Sequence, residues 1–138
     1  MSVRPEAEFR TDLPLDGVED ETDFVEFPGR NVTEVVGAML ASLGYDVSPP
    51  IHAGEHGWEL DVRANGRRFW LQITRMDERD CNLITEDMTW RIWRLQPSFE
   101  EFLTQLDKAL REDGRFSQIA WFRDWKDETR SPHPVEAS

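Results

Sequence analysis

An Asn-Gly pair at residues 65–66 divides two runs of alternating apolar residues, WELDVRA and RRFWLQIT, and no other feature of the chain constrains its fold as tightly. Both central residues of a type I′ turn need φ > 0, which Gly and Asn reach at least cost. Counting outward from a two-residue loop sets Val62 against Phe69, Leu60 against Leu71, and Trp58 against Ile73. These pairs share one face, because strand side chains alternate. The opposite face takes Glu59 against Gln72, Asp61 against Trp70, and Arg63 against Arg68. A slip of one residue would scatter the apolar set over both faces, so the register is specified. A lone amphipathic hairpin is unstable in water and requires further strands or a helix on its apolar side.

The flanking chain offers both kinds of cover. Asn31-Val32-Thr33-Glu34 has the form of a capping box, with Asn31 as N-cap. Val32, Val35, Val36, Met39, Leu40 and Leu43 then recur at helical spacing, and Gly44 suits the position just past a helix. Gly37 inside this stretch costs helix propensity, which close packing on a sheet would explain. A second capping box, Ser98 to Glu101, opens a helix with Phe99, Phe102, Leu103, Leu106 and Leu110 on its apolar stripe. Glu100, Glu101, Asp107, Lys108 and Arg111 are expected to face water, and Gly114 ends the helix.

Strand composition recurs at Cys81–Thr85, Met88–Leu95 and Ile119–Phe122, with a short edge strand at Tyr45–Val47 before Pro49-Pro50. Asp23–Phe27 reads as a short strand or an anchor. The expected fold is α+β: an N-terminal helix, an antiparallel meander of four to five strands, a second helix packed on the same sheet face, and a short final strand. Composition divides the chain into a mobile acidic segment at residues 1–22, a single α+β domain at 23–123 and a polar tail at 124–138.

The formal net charge is −12, and residues 1–30 carry −6 of it, as much as all that follow. Such a chain is repelled by nucleic acid phosphates and anionic membranes and attracted to a basic protein. No apolar run is long enough to span a bilayer, and the first residues lack the apolar core of a secretory signal. Cys81 is the one cysteine, so no internal disulfide forms. That fits a reducing cytoplasm, with the thiol serving as a small core hydrophobe.

Motifs that carry chemistry are scarce. There is no nucleophile elbow, phosphate-cradling glycine loop or dinucleotide fingerprint, so no cofactor is expected. His52 and His56 have the spacing of a zinc motif, but that motif needs a helix. Here Gly54, Gly57 and the upstream prolines argue for a loop without a third ligand, so no metal site is expected. Glu59 and Asp61 share the polar hairpin face, where solvation accounts for them as well as acid–base chemistry does.

The sharper anomaly is aromatic: Trp70 falls on that polar face beside Asp61, with Arg63 and Arg68 nearby. If residues 88–95 form a strand, Arg91 and Trp93 also point away from its Met88, Trp90 and Ile92 side. Tryptophan with arginine on an open sheet is the composition enriched at protein–protein hot spots. Cover by the N-terminal segment, or by Phe24 and Phe27, is the competing account.

In size, acidity and helix–sheet–helix order the chain resembles two broad groups of small bacterial proteins, although no motif assigns residues. One is the immunity proteins, which neutralise a toxin by covering its active site; the other is the acidic secretion chaperones, which hold an effector segment on a sheet. The expectation is a non-enzymatic binding module, acting as an immunity-type inhibitor of a basic toxin or nuclease. Trp70 and Trp93 are then anchors beside Arg68 and Arg91, with Asp61 and Glu59 as steering residues; the chain is a monomer or a homodimer. The alternatives are a homodimeric chaperone for an effector segment and a small hydrolase using the His52–His56 loop.

Overall fold

The computed structural model describes residues 2–19, 24–90 and 95–136. Its hairpin forms as the alternation dictates. Strands β7 (Trp58–Ala64) and β8 (Arg67–Arg75) pair with Trp58 opposite Ile73, Leu60 opposite Leu71 and Val62 opposite Phe69. Asn65 and Gly66 take φ of 50° and 82° at the turn. All six apolar partners are buried.

Two helices cover that apolar face. α1 (Arg30–Ser42) buries Val32, Val36 and Leu40, and α2 (Phe99–Glu112) buries Phe102, Leu103, Leu106 and Leu110. Phe102 stacks on Phe69 with ring centres 4.2 Å apart, joining α2 to the hairpin. Gly37 of α1 lies against the sheet, where a Cβ would already sit 3.5 Å from Val47 and 3.7 Å from Leu60. The second capping box is real in its first half, since Ser98 Oγ accepts the Glu101 N–H at 3.2 Å.

The first box is not. Gly29 occupies the N-cap position, Asn31 lies inside the helix, and Glu34 pairs with Arg30. Asp16, from the preceding segment, instead accepts the N–H groups of Gly29 (2.7 Å) and Asn31 (2.9 Å). A full carboxylate charge at the positive end of the helix dipole replaces the neutral amide that local spacing suggested.

The expectation that the fold begins with a helix is corrected, because the N-terminus is β-strand. β1 (Ser2–Val3) pairs with β11 (Val135–Glu136), and β2 (Glu6–Thr11) enters the main sheet as an inner strand. Ala7, Phe9 and Thr11 of β2 are buried while Glu8 and Arg10 point out. This period-2 pattern is masked by the acidic average of the first thirty residues.

The sheet is correspondingly larger than a meander of four to five strands. Seven strands take part, in the order β10 (Phe116–Phe122), β2, β9 (Asp80–Asp87), β8, β7 and β5 (Asp46–Val47), with β6 (Ile51–His52) also paired to β7. Only β7, β8 and β9 form a meander. β2 inserts between β9 and β10 and takes the β9 edge that a strand at 88–95 would have used. Met88, Thr89 and Trp90 therefore lie outside any strand, and Arg91 and Trp93 fall outside the described residues. The strand expected at 119–122 starts earlier, at Phe116, and is not the last, since β11 follows. A small hairpin of β3 (Val18–Glu19) and β4 (Phe24–Glu26) precedes α1.

Asp107, expected to face water, is buried: it accepts the Trp121 indole N–H at 2.8 Å and the Arg111 guanidinium at 2.9 Å. Trp121 on β10 is fully buried, and its indole N–H needs such a partner. No helix among the described residues is long and apolar enough to cross a membrane.

Candidate functional site

Because α1 and α2 share one side of the sheet, the other side carries the outward residues of every long strand. On β7 and β8 these include Glu59, Asp61, Arg63, Arg68, Trp70 and Gln72, which the register brings together as expected. Their geometry, however, is self-contained. Glu59 accepts the Trp70 indole N–H at 3.2 Å and the Gln72 amide at 3.1 Å. Asp61 accepts from Arg68 at 2.8 Å and from Arg63 at 2.9 Å. Burial pushes the Asp61 carboxyl up, but hydrogen bonds and charge from the two guanidinium groups outweigh it and hold the carboxyl below its ordinary value. Trp70 is half-buried in this network.

At the β2–β10 end of the same face lies a cavity of about 290 Å³. Gln72, Asn82 and Ile84 of the sheet line it, together with Phe122, Trp125, His56 and Met76. Trp125 is 81% exposed. Four carboxylate residues border the cavity, Glu6, Glu8, Asp124 and Asp127, and no lysine or arginine does.

Those acids differ in how they are compensated. Asp127 pairs with the buried Arg4 guanidinium at 2.9 Å. It also accepts the backbone N–H groups of Arg123 and Thr129, so its carboxyl sits well below the usual range. Glu8 meets Arg130 at 3.4 Å. Neither Glu6 nor Asp124 forms an ion pair among the described residues. Burial, and then the Asp124 charge, raise the Glu6 carboxyl above its ordinary value.

Arg4 holds this end together. Besides Asp127 it binds Glu136 at 2.5 Å and donates to the carbonyls of Thr129 (2.8 Å) and Trp121 (3.3 Å). The segment after β10 is thereby folded back, with Ser131 bridging to Trp121 along the strand edge. Ser2, Arg4 and Arg123 in turn lower the Glu136 carboxyl to about 2.

The His52–His56 pair does not act as a unit. His52 Nε2 accepts the Phe27 N–H at 3.0 Å and its ring packs on Trp58, 4.8 Å between centres. His56 ends a single 3₁₀ turn (Gly54–His56) at the cavity rim, held by Thr74 Oγ1 donating to its carbonyl at 2.7 Å. Gly57 permits this placement: its φ is +93°, and a Cβ there would lie 2.2 Å from the Ile73 carbonyl oxygen. Among the described residues, no three His, Cys, Asp or Glu side chains are grouped to hold a metal ion. Cys81 is buried, and burial pushes its thiol up to about 12, which leaves it unreactive.

Sequence reasoning found the Trp70 cluster and missed Glu6, Phe122, Asp124 and Trp125. The alternation in EAEFRT and in the aromatic run WFRDW was the available signal. No family model, curated protein or solved structure matches this chain.

Proposed function

We propose that this protein is an acidic binding module that receives a basic protein partner on the helix-free face of its sheet. In the form we favour, the partner is a basic toxin or nuclease, and the module covers the cationic surface with which it acts. One observation carries the reading: two carboxylates without an ion pair among the described residues, Glu6 and Asp124, and an exposed tryptophan border one cavity on the sheet face opposite α1 and α2. Aromatic anchors supply binding energy at such surfaces, and the charge of −12 accelerates encounter with a cationic partner. Trp70, Arg68, Glu59 and Asp61 would then form the satisfied rim of the interface, and Trp125 its anchor.

The test is capture of partners from host lysate on the intact protein, with each retained protein identified and then titrated in purified form. Retention of a basic protein, weakened by salt and by Trp125→Ala but not by Glu112→Gln on the exposed side of α2, supports the reading. Retention that is insensitive to Trp125→Ala and Trp70→Ala, with folding intact, would move binding off this face and contradict it.

A further inference from the structure

We infer that the cavity bordered by Glu6, Asp124 and Trp125 is an arginine-side-chain subsite for a residue presented by the basic partner. The inference rests on the open-face reading above and names what that face selects. The protein itself displays the chemistry next door. The Arg130 guanidinium lies 5.6 Å from the centre of the Phe122 ring, and its Nη1 meets the Glu8 carboxylate at 3.4 Å. One cationic plane is thus held between an aromatic ring and an outward carboxylate of β2.

Two residues along β2, Glu6 points to the same side of the sheet, because outward positions recur every second residue. Across the β2–β10 pair it faces Phe122, and Asp124 and Trp125 border the same cavity, adding a second carboxylate and a second ring. Neither of these two acids forms an ion pair among the described residues, and no lysine or arginine lines the cavity. The indole ring already attracts a cation, with Lys126 Nζ 5.0 Å from its centre.

Guanidinium fits this corner better than ammonium. It is planar and stacks on an indole face, it is more weakly hydrated, and its fork of donors can address two carboxylates at once. A cavity of about 290 Å³ lies at the small end of ligand sites, consistent with one long side chain rather than a folded segment. Burial first, and the Asp124 charge second, raise the Glu6 carboxyl, and an arriving cation would lower it.

The test uses the intact protein and three short peptides of identical length, carrying arginine, lysine or the neutral isostere citrulline. The Trp125 indole N–H resonance, assigned with Trp125→Phe, reports occupancy. The arginine peptide should shift that resonance saturably, bind more tightly than the lysine peptide, and lose about tenfold in affinity in Glu6→Gln or Asp124→Asn. Glu112→Gln, which removes one charge on α2, should leave it unchanged.

Equal binding of the citrulline peptide would overturn the charge assignment, and equal binding of the lysine peptide the guanidinium assignment. A purified basic partner whose affinity falls in Trp70→Ala but not in Glu6→Gln or Asp124→Asn would remove the subsite and keep the open-face reading. Failure of both the peptides and any basic protein to bind would remove both.

Discussion

The two ends of the helix-free sheet face carry the same residue types in opposite electrostatic states. At the β7–β8 end, Asp61 is held by Arg63 and Arg68, and Glu59 by the Trp70 and Gln72 side chains. At the β2–β10 end, Glu6 and Asp124 form no ion pair among the described residues, and Trp125 projects into solvent. The two guanidinium groups hold the Asp61 carboxyl below its ordinary value against burial, whereas burial and then the Asp124 charge hold the Glu6 carboxyl above its own. Counting acids would rank the two ends alike. What separates them is where the arginines sit, and an unneutralised end gains more from a cationic partner than a neutralised one.

The largest effect expected on this comparison comes from Arg4, which holds the second end in shape. Arg4→Ala removes the buried guanidinium from Asp127 and Glu136 and frees the segment that carries Trp125, which should be the largest loss of stability among these variants. Urea unfolding should show that loss, and a cost under about 1 kcal/mol would mean that Arg4 is dispensable. Acid should weaken the same contact. Glu136 titrates near 4.5 when unfolded and about 2 when folded, so its contribution is present above 4.5 and is lost as pH falls toward 2. Amide exchange at Val3 and Trp121 should quicken over that window, and unchanged exchange would contradict it.

Next in size is the ranking of the two tryptophans in partner binding. Trp125→Ala should weaken a basic partner by about 2 kcal/mol, near thirtyfold, as an anchor truncation does. Trp70→Ala should cost only a fewfold, because its indole N–H is already spent on Glu59. The reverse ranking would transfer the anchor to the hairpin end.

The smallest effect is the most discriminating, since it is one of sign. Asp61 has a lowered carboxyl, so its stabilisation is present above its unfolded value and disappears as pH falls through the folded one. Asp61→Asn should therefore destabilise at neutral pH, by under about 1 kcal/mol for an exposed network. Glu6 has a raised carboxyl: its ionised form is a penalty on the fold above the folded value, absent at acid pH. Glu6→Gln should stabilise slightly at pH 7 and be neutral in acid. Thermal unfolding at both pH values reads the two signs, and equal signs would erase the distinction.

How much of this was legible in the sequence follows the separation of the partners. The β7–β8 register, down to Asp61 opposite Trp70, is encoded by a turn and an alternation within seventeen residues of one another, and it is observed in full. The Asp61–Arg68 contact is a diagonal of that register and could be read with it. β2 was lost because its partners, β9 and β10, lie far along the chain, where pairing leaves no local signature. Its alternation is plain in EAEFRT, but the acidic context argued for an unstructured segment. Asp16 capping α1 and Arg4 gripping residues 127–136 were illegible for the same reason: each is one polar residue satisfying groups remote in sequence. The second tryptophan–acid cluster depends on both β2 and that folded-back segment, so it emerged only with the tertiary structure.

The most direct test of the unequal ends is a carbon-detected NMR pH titration of the Glu6 and Asp61 carboxyl groups in the intact protein. The structure predicts that Glu6 titrates above 4.5 and Asp61 below 3.8. A Glu6 carboxyl at or below 4.5 would mean that its end of the face is already neutralised, and the contrast on which the binding account stands would be gone.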